Sequence, residues 1–458
     1  MKKLDKEKLK IQLKKITKTS LLFGIGFLFL WKWSLRHTFI PRPAEIFLFV
    51  ALISGTVYLF LNKFEDIKRI PKIVLIAQFL LIFSTLFATL YGYIRYGLTF
   101  NSDGFLILYK LFTGIIIFLG YFIFIRGDEC FFKRVYIAFW LPSIIFLPFL
   151  FLPQIAEKLS FLTADSKTFI GLAYDPHLEA AILFVAFTLL FATFMYSLLG
   201  NWRKKLVWLL VSLIFLYGFE ALLIWNNTRS YIMALFLSVL LISAGIGIFF
   251  KKKPIWIFLI ACISLFIVAI IPFSFPSYIF KPYSQKLEQI SKISSNWSKS
   301  NIFFEGIKGE KKIGSRNMII ASSSVPGYDW RTFTTVYYFR IFKSNPFAFL
   351  IGTGVNYPKK FSLIYQYENE NFQLGPGTIL DMFLWGGVGA FLSLLIFVWL
   401  ILKNVLQKIR SAFQEPFIYH FGCAVAVVGL LFASILTGSL FISYASIYFW
   451  ILSAMALA

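Results

Sequence analysis

The chain has 458 residues, 59% of them apolar and only 14% charged, and Phe, Trp and Tyr make up 20%. A soluble domain is roughly half apolar and about a quarter charged, so a disordered chain, a disulfide scaffold and a collagen-like fibre are all excluded. Apolar runs of about 20 residues recur at short intervals, the length a helix needs to cross roughly 30 Å of hydrocarbon. That removes the multidomain soluble enzyme which length alone would suggest. The net charge of +24 would point to nucleic acid in a soluble protein, but no zinc knuckle, P-loop or base-reading basic helix accompanies it. Three distant cysteines, Cys130, Cys262 and Cys423, form no metal or redox motif.

In chain order, Met1 to Lys18 carries eight lysines and reads as a basic, partly amphipathic helix at a membrane surface. The apolar run behind it meets Arg36, Pro41 and Pro43 with no small-residue cleavage site, so it is expected to stay as an anchor. Twelve spans are predicted near 19–35, 43–62, 73–94, 105–125, 135–153, 179–199, 206–225, 232–250, 255–275, 378–402, 417–437 and 439–457. The expected fold is therefore an all-α integral membrane protein of about 12 transmembrane helices. Its divisions are 1–18, a basic N-terminal segment; 19–275, helices one to nine; 276–377, a large periplasmic loop; and 378–458, helices ten to twelve.

Charge sets the orientation. With both termini in the cytoplasm, the cytoplasmic segments hold 24 Lys and Arg and the short external loops only six, as the positive-inside rule requires. The long external loop is rich in Ser, Lys, Asn and Gly. Its second half repeats Trp330, Phe333, Tyr337 and Ile341 at helical spacing, the stripe of an amphipathic helix against the bundle or the membrane surface. Arg331 shares a face with Thr334, Thr335 and Tyr338, away from that stripe.

Ionisable side chains at membrane depth are costly unless paired or wet, so each is a candidate site. Glu220 sits late in the seventh span and is followed by Asn226, Asn227, Thr228, Arg229 and Ser230. Asp175, His177 and Glu179 precede the sixth span, Asp381 opens the tenth, and Lys110 lies a turn inside the fourth. Lys110 and Glu179 can also be explained by snorkelling to the interface. Arginine at an external face suits an anionic headgroup, because its planar fork grips phosphate bidentately.

Three blocks resemble the O-antigen ligase and O-antigen polymerase superfamily of bacterial membrane glycosyltransferases. The first is Asn227-Thr228-Arg229-Ser230 running into Tyr231-Ile232-Met233. The second is Arg331, then Phe342-Lys343-Ser344-Asn345-Pro346 and Gly352-Thr353-Gly354. The third is Gly386-Gly387-Val388-Gly389, and Tyr174-Asp175-Pro176-His177 is a weaker fourth. The resemblance runs from about Gly171 to the C-terminus. It implies an inner-membrane enzyme that uses an undecaprenyl-diphosphate-linked glycan at the periplasmic face, with no metal or other cofactor. By that resemblance Arg229 and Arg331 hold the donor diphosphate, with Thr228, Glu220 and Asp175 in support, and the long loop closes over the glycan.

One departure separates the two family activities. Ligases usually carry a His-Asn pair eleven residues before the third block, where this chain has Gly375 and Pro376; its only histidines are His37, His177 and His420. A polymerase fits better, with a second lipid-linked glycan as acceptor, and a chain-length regulator is a further partner to expect. The alternative is a ligase acting on lipid A–core. Glu368, Glu370 and Asp381 are the carboxylates near enough to serve as base, and Asp381 is the most constrained because the helix N-terminus favours its charge. A lipid-linked oligosaccharide flippase is the rival from another class, but no internal repeat supports one.

Overall fold

The computed structural model describes residues 3–28, 43–99, 102–148, 163–164, 168–169, 176–199, 205–226, 228–249, 307–313, 316–321, 337–339, 341–357, 363–367, 370–374, 377–411, 415–437, 440 and 445–458. Twelve helices are labelled here: α1 (Lys3–Gly26), α2 (Pro43–Leu61), α3 (Lys72–Tyr96), α4 (Ser102–Ile125), α5 (Glu129–Trp140), α6 (Pro176–Leu199), α7 (Leu206–Asn226), α8 (Arg229–Phe249), the short α9 (Pro346–Leu350), α10 (Thr378–Ser411), α11 (Glu415–Thr437) and α12 (Ala445–Leu457). Seven of them, α2, α3, α4, α6, α7, α10 and α11, are long and apolar enough to cross a membrane. They match seven of the predicted spans. The protein is an α-helical membrane protein.

The layout follows from which helices are apolar all round. In α6, 89% of the apolar window is buried, and it packs against α7, α8 and α11, which places it at the centre. By contrast α3 packs along α10 and turns Phe79, Phe83, Phe87, Leu90 and Ile94 outward, each at least half exposed. In water such a row would be an aggregation surface; on a spanning helix it is the lipid face. The phenylalanines stack along the helix at 5.8 and 6.2 Å.

Several expectations change. The fifth predicted span, 135–153, is replaced by α5, which stops at Trp140, and a 3-10 helix, Leu141–Phe146. Pro142 is the reason, since its ring displaces the preceding turn and it lacks an N–H. Helix α1 runs unbroken from the basic segment into the first apolar stretch, so the boundary at residue 18 is not a structural one. Helix α8 has 21 residues, Arg229–Phe249, and α12 has 13, Ala445–Leu457. The predicted ninth span lies outside the described residues.

The all-α expectation holds for the membrane helices but not for their connections. Strands β1 (Thr163–Ala164) and β2 (Thr168–Phe169) pair antiparallel. Strands β3 (Ile307–Ile313), β4 (Arg316–Ala321), β5 (Leu363–Tyr367) and β6 (Glu370–Leu374) form a sheet in that order, inside the segment expected to contain amphipathic helices and no strands. The hairpins β3–β4 and β5–β6 are local, while β4 and β5 run parallel. A parallel pair needs a long crossover, and the chain that contains α9 supplies it.

Candidate functional site

The best-defined polar corner is built on a break in α10. Gly386 (φ −148°, ψ 18°) and Gly387 (φ 60°, ψ −149°) leave the helical region, and the second conformation is essentially open only to glycine. The break turns the Leu384 carbonyl toward the loop after α9. It accepts from the backbone N–H of Thr353 at 2.7 Å, of Gly354 at 2.9 Å, and from Thr353 Oγ1 at 3.2 Å. Such close approach has no room for side chains: a Cβ on Gly387 would lie 2.2 Å from the Leu350 carbonyl oxygen, and one on Gly354 2.4 Å from the Thr89 Cα. Helix α3 closes the third side, where Thr89 Oγ1 accepts from Val355 N at 3.3 Å. Thus the second and third glycine blocks meet in space, against a helix that neither block hints at.

Asp381 lies one turn before the break and is fully buried. Its Oδ1 accepts a 2.8 Å hydrogen bond from the Tyr357 hydroxyl. Tyr357 is 4% exposed, and its ring stands edge-on to Tyr338 at 6.1 Å, itself at 0%. Burial first, then the neighbouring Asp381 charge and Tyr338, push the Tyr357 phenol well above its ordinary value, so it remains a hydrogen-bond donor at any physiological pH. Tyr338 corrects the reading of the loop helix. The described residues 337–339 and 341–344 are helical, but the deepest of them are Tyr338 and Phe342, while Tyr337 and Ile341 are half-buried. An inward face of about 100° covers both columns, and a phenol buries its ring readily. Tyr338, expected on the face away from the apolar stripe, therefore lies inward.

The second polar group is the α7–α8 turn. Glu220 is 3% exposed, and its Oε1 has no hydrogen-bond partner among the described residues. Asn226 and Thr228 are buried, with Thr228 Oγ1 donating to Asn226 Oδ1 at 2.5 Å. The Thr228 carbonyl accepts from Tyr231 N at 3.1 Å and starts α8, whose first residue is Arg229. Trp225, Ser230 and Tyr231 are also buried. Asn226, Thr228, Ser230 and Tyr231 thus pack the described part of this turn. Glu179 is fully buried as well, which removes the snorkelling explanation for it.

Both groups lie at one end of the bundle. Gly245 near the end of α8 faces Phe421 at the start of α11, so the start of α8 lies with the end of α11. There Ile435 O comes within 3.3 Å of a Cβ built on Gly377, and Thr378 Oγ1 accepts from Leu440 N at 2.8 Å. The opposite end holds the Lys18–Asp128 ion pair and a cleft lined by Asp128, Glu129, Lys133, Tyr419 and His420.

Of the remaining predicted site residues, Glu370 opens β6. Arg331, Glu368 and Asp175 lie outside the described residues. Among the described residues no group of three or more His, Cys, Asp or Glu could hold a metal ion. Tyr357 was not foreseen, the one available signal being its place just after the Gly352-Thr353-Gly354 block, and Tyr338 and Thr353 were named only as neighbours of Arg331 and of the two glycines. No family model, curated protein or solved structure matches the chain.

Proposed function

We propose that the protein is an inner-membrane glycosyltransferase that polymerises undecaprenyl-diphosphate-linked glycan at the periplasmic face. The observation that carries this reading is the meeting of the Gly352-Thr353-Gly354 and Gly386-Gly387 blocks, at the end of the bundle where α8 begins with Arg229. Blocks recognised separately along the chain then describe one place.

The chemistry asked of that place is simple. A hydroxyl of the acceptor glycan attacks the anomeric carbon of the donor sugar, and the bond from that carbon to the diphosphate oxygen breaks. The diphosphate leaves with the bonding pair and gains charge as it does so. Arg229 and Arg331 stabilise that growing charge, and the acceptor proton passes to a carboxylate, for which Glu368 and Glu370 of the loop are the candidates.

Deleting the gene and resolving the cell's surface polysaccharide on a gel tests the reading. A product capped at a single repeat is the expected result. Loss of lipid A-linked glycan with carrier-linked polymer accumulating would mean a ligase instead, and an unchanged glycan would sink both. Arg229→Lys is expected to lose roughly a hundredfold in rate at normal abundance, since an ammonium cannot reproduce a planar bidentate grip. Wild-type turnover would leave Arg229 with no part in donor binding.

A further inference from the structure

We propose that Asp381 and Tyr357 form a positioning pair that fixes the loop after α9 against the break in α10, and that neither touches the substrate. The proposal rests on the glycosyltransferase reading for its functional consequence, but not for its geometry.

A group that takes a proton from a glycan hydroxyl must come within hydrogen-bond reach of it. Asp381 has no exposed surface, and the 2.8 Å bond from Tyr357 occupies Oδ1. Tyr357 and Tyr338 are both buried beside it, at 4% and 0% exposure. The carboxylate thus faces the loop's own phenol.

What the bond does is visible from its two ends. Asp381 lies on the first turn of α10, held by its N–H to the Gly377 carbonyl at 2.9 Å. Tyr357 ends the turn that begins at Gly354, its N–H donating to the Gly354 carbonyl at 3.2 Å. Between these ends lie the Thr353 and Gly354 bonds to Leu384 O. The Tyr357–Asp381 bond therefore closes a ring of contacts around the corner, and without it the turn is held to α10 only through the Leu384 carbonyl, by the Thr353 and Gly354 amides and Thr353 Oγ1. A hydrogen bond to a charged acceptor is the stronger kind, which suits a strained glycine corner. The ring also reaches the loop helix, because Tyr338 packs on Tyr357, and Arg331 is seven positions before Tyr338 in the chain.

The test compares five forms of the purified full-length protein: wild type, Tyr357→Phe, Asp381→Asn, Asp381→Ala and the double variant Tyr357→Phe/Asp381→Ala. Two readouts are taken, turnover of polyprenyl-diphosphate-linked glycan from pH 5 to 9 and amide hydrogen exchange across residues 350–357. Asp381→Asn keeps an acceptor oxygen for the phenol, so its turnover should stay within about fivefold of wild type with the pH profile unmoved. Tyr357→Phe and Asp381→Ala should each lose on the order of tenfold, and the double variant no more than Asp381→Ala alone, as expected for two halves of one contact. In both, protection of the Thr353 and Gly354 amides should fall, while Asp381→Asn retains it.

A hundredfold loss in Asp381→Asn together with disappearance of the acid limb of the pH profile would make Asp381 the proton acceptor and overturn the proposal. Unchanged exchange in Tyr357→Phe would overturn it as well. If the wild type shows no turnover, the glycosyltransferase reading fails, and the exchange data alone still decide whether the pair holds the corner.

Discussion

Gly387 and Gly97 both hold left-handed backbone, at φ 60° and 64°, yet they answer to different constraints. Gly97 caps α3 in the ordinary left-handed conformation, and a Cβ there would meet nothing within 4 Å. Gly387 combines a glycine-only backbone with the Leu350 carbonyl oxygen 2.2 Å from where a Cβ would sit. Gly97→Ala should therefore cost about 1 kcal/mol, the intrinsic penalty of a left-handed alanine. Gly387→Ala should cost about 3 kcal/mol or more, because strain and overlap with backbone add and neither can relax by a rotamer change. Thermal unfolding of both variants in detergent checks this, the gap between them isolating the close approach. Equal midpoints would mean that the α9 loop does not seat on α10 as described.

At the scale of elements, α5 shows how a helix is started and then stopped. Asp128 caps it, Oδ1 accepting from Phe131 N at 2.9 Å, and the same carboxylate pairs with Lys18 of α1. Thr17 and Ser54 hydroxyls lie 2.9 Å apart and tie α1 to α2 just beside that pair. Burial alone would raise the Asp128 carboxyl, but the Lys18 ammonium, the Phe131 N–H and the charge of Lys14 outweigh it, and the group sits below its ordinary value. A depressed carboxylate contributes stability above its unfolded value of about 3.9 and loses it as pH falls through the lower folded value. Asp128→Ala should thus cost about 1 kcal/mol at neutral pH, mostly the cap, because a partly exposed ion pair adds little. The difference from wild type should begin to narrow as the pH falls below about 3.9 and go on narrowing toward the lower folded value in thermal melts taken across pH; a gap that stays constant over that fall would show that packing, not the charge, is lost.

Helices of this kind were the legible part of the chain. Predicted 43–62 is α2 at Pro43–Leu61 and predicted 417–437 is α11 at Glu415–Thr437, since continuous hydrophobicity over a bilayer's width has few other solutions. Span five failed at Pro142, which hydropathy alone does not register. The β3–β6 sheet was missed because β3, with Lys308, Glu310, Lys311 and Lys312, lacks the apolar alternation that marks a strand. In the corner, both glycine blocks could be recognised, but their partner in α3 and the Tyr357–Asp381 bond join residues far apart in the chain. No local pattern encodes such a pairing.

Across the whole molecule the two ends differ in kind. One end gathers Lys18, Arg126, Lys133, Lys205 and Lys403, and all five lie over aromatic rings: Lys18 on Phe131, Arg126 on Phe122, Lys133 on Tyr419, Lys205 on Tyr196 and Lys403 on Trp399, the last at 4.8 Å. Cations on aromatic residues near helix ends are interfacial anchors. The other end buries Glu179, Glu220 and Asp381 together with Asn226, Thr228 and Asn356. Under the positive-inside rule the end that gathers these anchoring cations is expected to face the cytoplasm. Reporter fusions at Lys205, Lys253 and Lys403 should then report cytoplasm, and a fusion at Asn296 the opposite side. The Asn296 fusion bears most on function, because its segment joins α8 to α10 and the break in α10 lies at the end of the bundle where that segment returns. If Asn296 reported cytoplasm while the other three held, an odd number of crossings would separate them from it differently than the charge pattern requires. The first half of the long loop would then lie on the face opposite the Arg229 turn, unable to close over a donor held there, and the glycan-polymerising reading would have to be abandoned.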